Sequence, residues 1–186
     1  MPARKIGTWN QSGMLRKNGV QPEWTLSYLE FPWLPKGWHH LKVEWFGDQL
    51  ANLQPCSPQA TRVTIKQSGH VHEKLLANVL SGKTPAKQLP MLYFDRSAWA
   101  LAVLEHLKDV PLGSVITYKE LATLAGNPQA ARAVARVCAS NRICLAIPCH
   151  RVIATNGKLG GFYWGIPLKK SILEWEKAQA NHLRQA

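Results

Sequence analysis

The run Ile147-Pro148-Cys149-His150-Arg151-Val152 sets a thiol directly beside an imidazole, with a guanidinium next in line. A thiol is a weak nucleophile until something takes its proton, and a histidine oriented by a carboxylate is one way to do so. Asn141 precedes the run and Glu176 follows it, bringing an amide and a carboxylate within reach after folding. Pro148 stiffens the backbone that presents the sulfur. Free cysteine is also among the most buried residue types, so taken alone the pair reads more readily as a structural thiol in a core. The cysteines, Cys56, Cys138, Cys144 and Cys149, are too few and too clustered for a disulfide framework. Cys144-x4-Cys149-His150 fits neither zinc nor haem-attachment spacing, so no metal is expected. His39-His40 and His70-x-His72 read as surface histidines, not ligands.

These groups need a framework to position them. At 186 residues the chain allows one full core or two small domains, and 46% apolar content excludes a disordered chain. No apolar run is long enough to span a bilayer, and Met1-Pro2-Ala3-Arg4-Lys5 is not followed by a signal-peptide core. The expected location is therefore cytoplasmic, or nuclear in a eukaryote. The net charge is +12, and no acidic residue lies between Glu120 and Glu174. Arg132, Arg136, Arg142, Arg151, Lys158, Lys169 and Lys170 fall in that window. A basic segment this long suits a polyanion, although a solvated basic face looks the same in sequence.

Residues 1–90 and 91–186 read as two domains. Alternating runs at Trp24 to Phe31, Leu41 to Trp45 and Arg62 to Lys66, separated by turn signals at Pro35-Lys36-Gly37, Gly47-Asp48 and Pro55 to Pro58, predict a small antiparallel sheet. A helix is expected over about Val71 to Leu80, and Lys83 to Pro90 reads as a connection. Five of eight tryptophans precede residue 46, where strand and core packing is their expected role. The second part is mainly helical. Trp99, Val103, Leu107 and Val110 recur at helical spacing up to Pro111-Leu112-Gly113. Thr117-x-x-Glu120 is a capping box opening a short helix through Leu124. Asn127 is expected as the N-cap, and Pro128 as the first residue, of a second helix to about Ala139. That outlines a helix-turn-helix. Ala130, Val134, Val137 and Cys138 can face the core, while Arg132 and Arg136 share another face of an alanine-thinned helix.

Gly113-Ser114-Val115-Ile116-Thr117-Tyr118, Ala125-Gly126-Asn127-Pro128-x-Ala130-Ala131-Arg132-Ala133-Val134, Asn141, Ile147 to Val152, Gly160-Gly161-Phe162-x-Trp164-Gly165, Lys169 and Glu176 together resemble the O6-alkylguanine-DNA alkyltransferases, also called methylated-DNA–protein-cysteine methyltransferases. The resemblance covers about residues 92 to 180. Residues 1–90 are similar to the family's N-terminal domain only in size and coarse pattern. The resemblance implies an α+β protein: a ribonuclease H-like N-terminal domain with a small antiparallel sheet and a helix, and a mainly helical C-terminal domain with a winged-helix-like helix-turn-helix. It also implies direct, irreversible transfer of an alkyl group from O6-alkylguanine in double-stranded DNA, and from O4-alkylthymine, to Cys149, with no cofactor or metal, by a monomer. His150 resembles the base acting through a bound water, Glu176 the carboxylate that orients it, and Asn141 the organiser of the active-site loop. Arg132 is similar to the finger that enters the base stack, and Tyr118 to the residue that crowds the target phosphate and contacts the extruded base. Lys119, Asn127, Arg136, Arg151 and Thr155 fall at DNA-contact positions. Cys144, Val152, Phe162, Tyr163, Trp164 and Tyr118 are the implied alkyl and base pocket.

Extrusion makes physical sense, because O6 cannot be approached in line by a thiolate inside a stacked duplex. Three other functions fit parts of the pattern. A non-catalytic recruiter that binds alkylated DNA resembles this chain, but such proteins carry Trp at the position of Cys149. A helix-turn-helix regulator would use Arg132 and Arg136, yet the related methyl-sensing regulators add a zinc module built on four cysteines, a pattern this sequence does not show. A Cys-His hydrolase needs an oxyanion hole that the sequence does not reveal.

Phe162 stands where many relatives carry Tyr, which leaves stabilisation of the departing oxygen to Tyr118, backbone amides or water. Tyr163 and Trp164 add bulk. The expected pocket accepts methyl readily and benzyl poorly, so free O6-benzylguanine should inactivate the protein weakly. Stoichiometric inactivation at low micromolar concentration would overturn that expectation.

Overall fold

Alternation places Leu41, Val43 and Trp45 of β2 (His40–Phe46) on one buried face. β1 (Trp24–Glu30) pairs antiparallel with β2 from Trp24↔Phe46 to Glu30↔His40. The computed structural model describes residues 24–31, 34–36, 38–56, 70–94 and 96–185, so the strand expected at Arg62 to Lys66 lies outside the described residues. The third strand among the described residues is β3 (Gln49–Pro55), reached through the Gly47-Asp48 turn and giving the sheet order β1-β2-β3. Gln49 to Pro55 contains no β-branched residue, which is why alternation did not reveal it. A register shift at Glu44/Trp45 skips Ala51 and lets both Leu50 and Ala51 turn inward.

The outer edge of β3 would expose unpaired backbone groups, and two distant segments cover it. Leu50 N–H donates to Pro90 O (2.8 Å) and Leu92 N–H to Leu50 O (2.9 Å). Leu53 N–H donates to Arg142 O (2.8 Å) and Cys144 N–H to Leu53 O (2.8 Å). The sheet thus holds the loop that leads to Cys149.

α1 (Glu73–Leu80) starts two residues later than expected and buries Leu76, Val79 and Leu80. The Lys83 to Pro90 connection contains one 3-10 turn, Ala86–Gln88. α2 (Ala98–Lys108) is N-capped by the Ser97 side chain and buries Ala100, Val103, Leu104 and Leu107. β4 (Ile116–Thr117) leads into α3 (Tyr118–Leu124), where the expected capping box forms: Thr117 Oγ1 accepts from Glu120 N–H (3.1 Å), and Glu120 Oε2 accepts from Thr117 N–H (2.8 Å).

The next helix, α4 (Ala131–Ala139), corrects the sequence reading. Its N-cap is Ala130, not Asn127, and Pro128 lies in the turn before it. Asn127 closes the preceding helix end. Its N–H donates to Ala122 O (2.9 Å) and Gly126 N–H to Thr123 O (3.0 Å), a Schellman closure with Gly126 at φ +80°. Ala130 N–H then donates to Asn127 O (3.0 Å), closing a tight turn before α4 begins.

β5 (Val152–Ile153) pairs in parallel with β4, tying the segment after Cys149 to the start of α3. α5 (Ile166–Gln185) buries Lys169, Ile172, Glu176 and Ala180 along one face. Sheet and helices share one hydrophobic core, giving an α+β architecture. Trp38 and Trp45 sit fully inside it as expected, whereas Trp24 is exposed. Among the described residues no helix is long and apolar enough to cross a membrane.

Candidate active site

Cys149 opens a 3-10 turn, Cys149–Arg151, between Pro148 and β5. That turn aims two consecutive side chains at one carboxylate. His150, fully buried, places Nε2 2.8 Å from Glu176 Oε1. Arg151 donates Nε to Glu176 Oε2 (2.9 Å) and Oε1 (3.2 Å), Nη2 to Oε1 (2.7 Å), and Nη1 to Val110 O (2.5 Å).

Burial alone would raise the Glu176 carboxyl, but charge and hydrogen bonding from His150 and Arg151 override it and hold it at about 2. The carboxylate is therefore ionised and can only accept, which puts the histidine proton on Nε2 and leaves Nδ1 as the basic nitrogen. Nδ1 is buried without a hydrogen-bond partner among the described residues. Burial lowers the His150 pKa against the pull of Glu176, so the ring stays neutral near pH 7.

The thiol sits among groups that favour its anion. A hydrogen bond from Cys144, then one from Asn141 and the charge of Lys169, outweigh burial and lower Cys149 below the ordinary thiol value. Cys144, fully buried behind it, is driven up. Asn141 also braces the loop: Nδ2 donates to Ile147 O (2.8 Å), and Oδ1 accepts from Ile143 N–H (3.0 Å). Within that loop Leu145 adopts φ +68°, a conformation that costs a non-glycine residue about 1–3 kcal/mol and persists only when its surroundings dictate it. Lys169, with no exposed surface, donates Nζ to Val152 O (2.6 Å) and to Leu159 O.

Cys149 lines a pocket of about 290 Å³ with Tyr118, Ala135, Cys138, Asn141, Phe162 and Trp164. Tyr163, also lining it, is 78% exposed at the rim and packs edge-on against Trp164 (5.2 Å). Gly160, at φ +68°, lies so close to Tyr118 that a Cβ would meet its ring at 3.2 Å. The Tyr118 hydroxyl is pushed up by burial and by the nearby thiols, so it keeps its proton.

The structure brings Cys149, His150, Glu176 and Asn141 together, and it groups Tyr118, Phe162, Tyr163 and Trp164 around the pocket. Several assignments need correction. Arg151 is not available for DNA contact, because it is nine-tenths buried and spent on Glu176 and Val110. Cys144 and Val152 are fully buried and do not line the pocket; Cys144 acts from behind, through the Cys149 sulfur. Lys169 likewise leaves the basic surface. Lys119, Asn127, Arg132, Arg136 and Thr155 are all exposed. The four paired histidines are half-buried, not surface groups, and His70 stacks on Trp45 at 4.0 Å. Sequence reasoning missed Cys138 as a wall residue, although its position on the inner side of α4 was legible.

Residues 98–178 match the family model described as 6-O-methylguanine DNA methyltransferase, DNA binding domain. This segment of the chain is similar to that methyltransferase family. A methylated-DNA–protein-cysteine methyltransferase from Kluyveromyces lactis is 46% identical over 85 residues, covering 46% of this chain and 42% of that protein. The bifunctional transcriptional activator/DNA repair enzyme Ada of Escherichia coli is 38% identical over 128 residues, 69% of this chain and 35% of its own. The chain thus spans under half the length of these curated relatives. The structure of Mycobacterium tuberculosis OGT in complex with DNA superposes with a TM-score of 0.63 at 26% identity, over 83% of this chain and 93% of that one. The matched segment, residues 98–178, contains the whole Cys149–His150–Glu176 arrangement.

Two outcomes test these electrostatics. Iodoacetamide should label Cys149 ahead of Cys56, Cys138 and Cys144, whose thiols burial raises. Its rate should climb with pH and level off below the usual thiol value of about 8.5; mass mapping that finds Cys138 labelled first would contradict it. Glu176 and His150 both bind protons more weakly folded than unfolded, so stability must fall with acid. The His150 contribution is lost below about pH 6.5 and that of Glu176 between about pH 4 and about 2. Urea midpoints measured across this range should decline in both windows, and Glu176→Gln should flatten the lower one.

Proposed function

We propose that the protein repairs DNA by moving an alkyl group from O6 of guanine to its own Cys149, once per molecule. The observation that carries this reading is a pocket-lining thiol of lowered pKa beside a buried neutral histidine, whose carboxylate partner fixes its tautomer, within the segment that matches the methyltransferase family model. In the first step His150 Nδ1 takes the thiol proton through a bridging water. The Cys149 thiolate then attacks the alkyl carbon in line with the C–O6 bond. The sulfur–carbon bond forms, the C–O6 bond breaks with its electron pair going to guanine, and the proton returns to the base, restoring ordinary guanine. The thioether has no leaving group that water can displace under cellular conditions, so the acceptor is consumed. No cofactor enters this balance.

Phe162 cannot donate to the departing oxygen. The protonated Tyr118 hydroxyl, also in the pocket wall, is the donor favoured here. The exposed Arg132 on α4 plugs the stack when the lesion leaves it, while Arg136, Lys119, Asn127 and Thr155 contact the duplex backbone. The lesion class extends to O4-alkylthymine. In this reading residues 91–186 form the DNA-binding and acceptor domain with a winged-helix-like helix-turn-helix, residues 1–90 a ribonuclease H-like partner, and the molecule works as a monomer in the cytoplasm or nucleus.

Intact-mass measurement after mixing with an oligonucleotide containing O6-methylguanine tests the reading. One methyl should appear on Cys149, and none in Cys149→Ala, which should still bind. His150→Ala and Glu176→Ala should slow transfer by roughly a hundredfold or more while changing binding far less. Tight binding with no mass change would favour a recruiting role instead.

A further inference from the structure

The pocket wall formed by Phe162 and Trp164 is backed by a side chain from the opposite end of the sequence. Trp38 lies just before β2, where Phe31 N–H donates to His39 O (2.7 Å) and Trp38 N–H to Pro35 O (2.8 Å). Its indole has no exposed surface. The ring centre is 6.1 Å from that of Phe162 and 6.2 Å from that of Trp164, which are themselves 5.4 Å apart edge to face. Its Nε1–H donates to Leu168 O (3.1 Å) in the first turn of α5, across 130 residues of sequence. Lys169, the next residue of that turn, anchors Leu159 O at the start of the wall segment.

We propose that Trp38 is a positioning residue that limits the size of alkyl group the pocket accepts. The inference rests on the alkyl-transfer reading above and adds to it a specificity determinant outside the matched segment. A packed interior holds few voids, so the wall can retreat only if the group behind it is smaller. Truncating the indole leaves a cavity that its neighbours fill in part by relaxing toward it. Phe162 and Trp164 are those neighbours, and their retreat enlarges the space beside Cys149. Loss of the Nε1–H bond to Leu168 also loosens the start of α5, so methyl transfer slows somewhat even as larger groups gain entry.

The test measures single-turnover transfer from two oligonucleotides, one carrying O6-methylguanine and one O6-benzylguanine. Trp38→Ala, and Trp38→Leu as the milder change, should raise the benzyl-to-methyl rate ratio about tenfold or more, on the scale of size discrimination in apolar pockets. Trp38→Phe, which keeps a ring behind the wall, should restore the wild-type ratio. Trp45→Leu serves as the control, since Trp45 is equally buried but its ring partners are His70 and His72; it should leave the ratio unchanged. Wild-type protein that transfers methyl, with Trp38→Leu showing an unchanged ratio or one that moves in parallel with Trp45→Leu, overturns this inference alone. Failure of the wild type to transfer methyl overturns both readings.

Discussion

One carboxylate, Glu176, is the constraint from which the rest of the site follows. It is 3% exposed, and it faces an imidazole and a guanidinium contributed by consecutive residues. An ion taken this far from water is tolerated only when a partner and enough hydrogen bonds replace its hydration. Arg151 supplies the compensating charge with three of those bonds, which leaves His150 free to remain neutral. Without the guanidinium, the imidazole would be the nearest group able to neutralise Glu176, and a protonated histidine cannot take a proton from a thiol. Removing either member of such a buried pair typically costs about 3–5 kcal/mol, because the survivor is stranded. Stability and reactivity therefore depend on the same atoms.

Holding that carboxylate in place recruits the surrounding elements. The buried face of α5 carries Lys169 two turns before Glu176, and its ammonium grips Val152 O, just after the thiol turn, and Leu159 O, at the entry to the aromatic wall. The opposite flank of the thiol loop is pinned by β3 through Leu53 and by the Asn141 amide. Leu145 can sit at φ +68° because both ends of its loop are fixed in this way. The small sheet, which contributes no group to the reaction proposed here, thus shapes the loop that does.

Features decided by neighbours in sequence were legible from the start. The Pro148-Cys149-His150 run, the Thr117–Glu120 capping box and the Gly126 helix stop each draw on residues within a turn of one another. Features decided across the fold were not. Arg151 carries the same charge whether it meets phosphate or Glu176, and only the packing of α5 against the thiol turn separates the two. Asn127 is a good N-cap type, yet its carbonyl closes a tight turn with Ala130 N–H, and α4 begins only at Ala131. β3 has no β-branched residue to announce it and exists because β2 and the two segments at its edge complete its hydrogen bonds. Trp38 gave no sign of its place behind the pocket, since its partners lie at the far end of the chain.

The acid-free window resolves into two populations with different physics. Arg151 and Lys169 turn inward, whereas Arg132, Arg136, Arg142, Lys158 and Lys170 stay exposed. On the proposed reading this division answers a conflict. A polyanion drawn in by the outer charges would itself disfavour a thiolate nearby, because like charge raises a thiol pKa. Exposed arginines cannot correct this fully, since salt screens them over about 10 Å and phosphates neutralise them on contact. The groups that favour the Cys149 anion are instead buried and close: the Cys144 and Asn141 hydrogen bonds and the Lys169 charge. Because they lie behind the sulfur rather than on the surface, they persist at full strength when the duplex arrives. The outer set can then serve binding, and the inner set can keep the nucleophile poised independently of it.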